Sequence, residues 1–125
     1  MTYDEFNAFC GALRATTHVV QWGGAQVWKV GGKVFAIGGW EKSGGPAYTF
    51  KTSDLNYDYL CDEPGYRPAP YLASRGMKWI QQYDGAKDEE LRYYLGESYR
   101  IVSLGLSKKK QKELGLNQDV QENRK

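Results

Sequence analysis

Twelve consecutive residues do most to limit what this chain can fold into: Gln26-Val27-Trp28-Lys29-Val30-Gly31-Gly32-Lys33-Val34-Phe35-Ala36-Ile37. Two β-rich runs flank a Gly-Gly pair. Glycine takes positive φ at both central positions of a primed two-residue turn without steric cost. The segment therefore predicts a hairpin with Val30 opposite Lys33, Trp28 opposite Phe35 and Gln26 opposite Ile37. In that register these residues share the more apolar face, while Val27, Lys29, Val34 and Ala36 share the other. Trp28, Phe35 and Ile37 are expected beneath helices, and Lys29 in solvent. Residues 47–51 return as a third strand, with Tyr48 and Phe50 on one face and Thr49 and Lys51 on the other.

Around this ribbon the helical signals are separate and short. Thr2 and Glu5 have capping-box spacing, and Phe6, Phe9, Cys10 and Leu13 then form one apolar stripe. Cys10 lies in that stripe and reads as a small core residue. Residues 15–25 read as a loop ending in Trp22-Gly23-Gly24. Ser53 or Asp54 can cap a short helix running to Cys61, with Leu55, Tyr59 and Leu60 as its apolar contacts. Pro64, Pro68 and Pro70 exclude helix and favour an extended path. Residues 77–83 alternate Met77, Trp79, Gln81 and Tyr83 against Lys78, Ile80 and Gln82. Asp88, Glu89 and Glu90 open the longest helix, whose stripe is Leu91, Leu95, Ser98 and Val102 and whose stop is Gly105. The order predicts an α+β, two-layer domain: an antiparallel β-sheet with the N- and C-terminal helices packed on one face. It spans residues 1–114. Residues 115–125 read as a polar tail with no fixed structure after Leu116.

Charge is sorted by element. Residues 25–52 carry Lys29, Lys33, Lys42 and Lys51 against Glu41, and residues 66–83 carry Arg67, Arg75 and Lys78 with no acid. Residues 53–65 hold Asp54, Asp58, Asp62 and Glu63 and no base. The net charge of +2 over 125 residues comes from the C-terminal tail, so the body is not basic overall. Any nucleic-acid binding is therefore expected to be modest and salt-dependent. Cys10 and Cys61 are the only cysteines, and MTYDEF lacks the basic start of an export signal. No apolar run approaches the roughly 20 residues of a membrane span. A soluble, cytoplasmic protein without a membrane partner is expected.

Taken in order, MTYDEFNAFC, VWKVGGKVFAI, YTFK leading into SD, PGYRPAPYLASRGMKW and SYRIVSLGLSKK resemble the MmcQ/YjbR family of small bacterial proteins. The resemblance covers about residues 1–114. It implies a CyaY/frataxin-like α+β fold and DNA binding through two β-wings, here residues 26–51 and 66–83. Lys33 and Phe35 match the family's hairpin Lys and aromatic, and Lys51 the Lys after the third strand. Arg67 and Pro68 match its Arg-Pro, and Trp79 its strand Trp. A stretch with His and Asn-Lys precedes that Trp in many members. This chain has Leu72-Ala73-Ser74-Arg75-Gly76-Met77-Lys78 instead, so an activity carried by that His and Asn would be missing.

Catalytic chemistry finds no constellation. His18 is the sole histidine, which excludes a histidine-pair zinc site and leaves it as an ordinary surface loop residue. The acidic run from Asp58 to Glu63 reads as a solvated helix end, and the glycines lack the Lys-Ser/Thr of a phosphate loop. Asp4, Glu5, Glu89 and Glu90 read as partners of helix dipoles, not as an iron-holding ridge. The expectation is a non-enzyme with no cofactor and no metal site. Lys29, Lys33, Lys51, Arg67, Arg75 and Lys78 are the candidate phosphate contacts to DNA, with Trp40 and Tyr71 as exposed rings. Lys29, Lys51 and Lys78 each fall on the less apolar face of their strand. The same lysines would equally keep an open sheet face soluble. The alternative is a protein- or small-molecule-binding module whose sheet uses Trp22, Trp28, Trp40 and Trp79 to line a pocket. Lys108–Lys110 read as a helix's last turn complementing its dipole.

Overall fold

Thr2 begins the first helix as its spacing requires. In the computed structural model, its Oγ1 accepts from the Glu5 N–H at 3.1 Å, and Glu5 Oε1 accepts from the Thr2 N–H at 2.8 Å. This box opens α1 (Tyr3–Gly11). The structure describes residues 1–39, 46–70, 72, 76–83 and 87–118. The remaining elements are β1 (Thr16–Gln21), β2 (Ala25–Val30), β3 (Lys33–Gly38), β4 (Tyr48–Lys51), α2 (Asp54–Cys61), β5 (Tyr66–Pro68), β6 (Trp79–Gln82), α3 (Asp88–Leu104) and α4 (Lys108–Leu114). Among the described residues the strands form one antiparallel six-stranded sheet in the order β1-β2-β3-β4-β6-β5. It is the expected α+β two-layer arrangement.

One core joins the sheet to its helices. Phe6 and Cys10 of α1, Leu60 of α2, and Leu91, Leu95 and Val102 of α3 pack against Trp28, Val30, Phe35, Tyr48, Phe50, Tyr66 and Ile80. Leu106 and Leu116, on either side of α4, join the same cluster. Gly38 leaves room for Phe6, because a Cβ there would stand 2.8 Å from the Phe6 ring. Burying such a set stabilises each large side chain by about 1.5–3 kcal/mol.

Four expectations are corrected. Residues 15–21 are not loop: β1 occupies most of them, and Trp22-Gly23-Gly24, all at positive φ, form the turn into β2. The β2–β3 hairpin does turn on Gly31 and Gly32 at φ 57° and 88°, and Val30 does face Lys33. Beyond that the register slips by one, with Lys29 opposite Val34 but Trp28 opposite Ala36 and Val27 opposite Ile37. Phe35 is the extra residue of a β-bulge, so Ile37 joins Ala25, Val27 and Val34 on the far face and leaves the helix side. In α2, Ser53 is the cap, but Leu55 and Tyr59 are exposed, and Tyr57 and Cys61 accompany Leu60 inward. Finally, Lys108–Lys110 open α4, capped by the Ser107 hydroxyl, and do not close a helix. Among the described residues no helix is long and apolar enough to cross a membrane.

Candidate nucleic-acid interface

The register determines which cations share a surface. Val19, Val27, Ile37, Thr49, Gln81 and Arg67 are successive cross-strand partners, so they form one row across the sheet. Val27 and Ile37 belong to the cluster away from the helices, which places the whole row on that far face. Lys29 and Lys51 lie two residues along β2 and β4 from Val27 and Thr49, hence on the same side. Between them stands Val34, the partner of Lys29, and next to Lys51 stands its partner Trp79. β2 and β4 are two strand steps apart, which separates the two lysine Cα atoms by roughly 10 Å.

Arg67 is the most firmly held cation. Its Nε and Nη2 both donate to Gln81 Oε1, at 2.9 and 2.7 Å, and Gln81 Nε2 donates in turn to Thr49 Oγ1 at 3.2 Å. The guanidinium also lies 4.6 Å from the centroid of the exposed Tyr83 ring. Thr49 and Gln81 are fully buried, so this polar row is part of the sheet's packing. Lys29, Lys51 and Arg67 have no ion pair among the described residues; the described bridges are Met1–Asp88, Lys87–Glu63 and Arg100–Glu97.

Two predicted contacts point elsewhere. Lys78 precedes Trp79 in phase with Ile80, a core residue, and its Nζ sits 4.7 Å over the Tyr57 ring of α2, on the helix side. Lys33 shares the face of its partner Val30, which also packs toward the helices. The expectation that Lys29, Lys51 and Lys78 share one face therefore fails for Lys78. The strand's more apolar face is not the one Met77 and Trp79 suggested. Arg75, Trp40 and Tyr71 lie outside the described residues.

Other candidates resolve into structural roles. Cys10 is fully buried, and burial pushes its thiol from 9.0 to about 12, which leaves it protonated and unreactive at neutral pH. His18 sits on β1, not in a loop; its ring stacks on Trp28 at 4.7 Å, and its Nε2 lies 2.8 Å from Gln26 Oε1. Asn7 ties this corner together by donating to Gln26 and accepting from the Trp28 indole at 2.8 Å. That network went unread because its members are far apart in sequence. Glu5 belongs to the capping box, and Glu90 accepts from the Tyr66 hydroxyl at 2.7 Å. Trp28 and Trp79 are buried, so neither is a ring offered to a ligand. A cleft of about 220 Å³ lies elsewhere, at α4, lined by Lys108, Gln111, Lys112 and Gln118.

Comparison with known proteins gives one family. The family model described as YjbR matches residues 11–101, from the end of α1 into the last turn of α3. No curated protein matches the chain.

Proposed function

The chain belongs to the YjbR family, and on that premise we propose that it is a non-catalytic protein contacting DNA phosphates weakly through the helix-free side of its sheet. One observation carries the reading: Lys29, Lys51 and Arg67 share that face and have no carboxylate partner among the described residues. Like-signed cations on one surface attract a polyanion without reading its bases. Lys33 and Lys78 are left out of the contact set because their strands turn them toward the helix layer. Two lysines and an arginine make a small footprint, which fits a chain whose body is not basic.

Salt dependence tests this directly. Each phosphate contact adds about 0.9 to the log–log slope of affinity against salt, so these three cations predict a slope near −2.7. Titration of a fluorescent duplex should show Lys29→Gln/Lys51→Gln losing about 1.8 of that slope. Lys33→Gln/Lys78→Gln should leave it unchanged. Absence of binding at low salt, or an equal effect of both double variants, would sink the proposal.

A further inference from the structure

The sheet's two edges are built very differently. β5 spans only three residues, and Arg67 and Pro68 occupy two of them. Short length, charge and proline are the usual means of stopping an edge from recruiting another strand. β1 has none of these. Its six residues, Thr16-Thr17-His18-Val19-Val20-Gln21, carry no lysine, arginine, acid or proline, and its middle residues are exposed. Val19 and Val20 are 36% and 54% exposed, and Trp22 follows at 49%.

The backbone shows which groups this edge offers. The Gly31 N–H donates to the Ala15 carbonyl at 3.4 Å, which makes Ala15 and Gly31 a hydrogen-bonded pair. Antiparallel pairs alternate, so Thr17, Val19 and Gln21 also bond toward β2. Thr16, His18 and Val20 therefore direct both their N–H and C=O groups away from the sheet. An exposed strand with outward backbone groups and β-branched side chains is a template for another strand.

We propose that β1 pairs antiparallel with β1 of a second copy of this chain, joining two six-stranded sheets edge to edge across a two-fold axis. The absence of charge selects that occupant: the strand meets its own copy with no like charges opposed. Opposed residues must share a face, so the axis passes through a residue and not between two. An axis at Val19 sets that valine against the partner's Val19. His18 then exchanges two backbone bonds with the partner's Val20, and Val20 does the same with the partner's His18. Positive φ at Trp22 takes the chain out of strand geometry and limits the pairing to this length. So short a contact belongs to the small class of interfaces, and the dimer is weak and concentration-dependent. The inference does not depend on DNA binding.

Light scattering and sedimentation across a concentration series test it. The mass should rise from 14.2 kDa toward twice that value. Val20→Pro removes only an outward donor, and Val19→Lys opposes two charges across the axis. Each should raise the dimer dissociation constant at least tenfold while leaving the circular dichroism unchanged. Amide exchange on the unmodified protein gives a readout that needs no variant. His18 and Val20 should gain protection with concentration, whereas Thr17 and Val19, already bonded to β2, should not. A chain still monomeric at millimolar concentration leaves the edge to a foreign strand and overturns the proposal. So does a dimer in which His18 and Val20 exchange as fast as in the dilute protein.

Discussion

Ser98 shows how much one side chain can decide. The ladder between β3 and β4 ends at Ala36–Phe50, and just beyond it the Ser98 hydroxyl of α3 bridges the two strands at Phe35 and Lys51. It donates to the Phe35 carbonyl at 2.6 Å and accepts from the Lys51 N–H at 2.9 Å, while fully buried. Ser98→Ala strands two backbone groups away from water and should cost about 2–4 kcal/mol, measured as a drop in unfolding free energy in urea. A loss well under 1 kcal/mol would mean that the ladder closes without it. Cys10 makes a prediction about pH. Because burial raises its thiol from 9.0 to about 12, the folded protein keeps a proton that the unfolded chain releases in that window. Its contribution is complete below pH 9 and is lost as pH rises toward 12, since stability falls wherever the folded state binds more protons. Urea midpoints of the parent should decline between pH 9 and 10, and Cys10→Ala should flatten that decline. Tyr48, also raised by burial and by nearby Tyr3, Asp88 and Glu5, adds its own loss above pH 10. The stripe position of Cys10 was readable in the heptad-like spacing; the hydroxyl bridge of Ser98 was not.

At the level of elements, the Gly31-Gly32 hairpin is where local chemistry and packing can be separated. Both glycines have positive φ, at 57° and 88°, so alanine is strained at either. Only at Gly31 does a Cβ also collide, 2.6 Å from Leu106 Cδ1 and 3.3 Å from Leu114 Cδ1. Gly32 opens onto empty space. Gly32→Ala should cost about 1–2 kcal/mol from backbone strain alone, and Gly31→Ala about 1–3 kcal/mol more from overpacking. Equal thermal midpoints for the two variants would show that the hairpin tip does not bear on α4. The turn itself was evident because its requirement is confined to two adjacent residues. β1 was missed because Trp22-Gly23-Gly24 provides the φ > 0 turn with a non-glycine residue at its start. α4 was missed because three lysines in a first turn oppose the helix dipole. Its hold comes from tertiary contacts: Leu106 and Leu116 in the core, and buried Gln111 donating to the Leu104 and Leu106 carbonyls.

For the whole molecule, the question is which charges reach a common surface. The segmental sorting of charge in the sequence picked both ribbons, and the far face of the sheet does gather Lys29, Lys51 and Arg67 from β2, β4 and β5. Sorting by segment could not say which side of each strand a cation occupies. For Lys78 the alternation was correct but its sense was reversed, because Trp79 is buried on the far face and Ile80 on the helix side. The salt-slope comparison of Lys29→Gln/Lys51→Gln with Lys33→Gln/Lys78→Gln is therefore a test of sides, at constant change in net charge. By itself, the sequence determined the α1 cap, the primed turn, the stripe of α3, the sorting of charge by element and the α+β class, since each depends on residues within a few positions of one another. The slipped register, the assignment of faces and the pairing of cations waited for the tertiary structure. A single bulge between β2 and β3 reverses side-chain orientation beyond it, and a hydroxyl 63 residues away bridges β3 to β4; no local pattern records either.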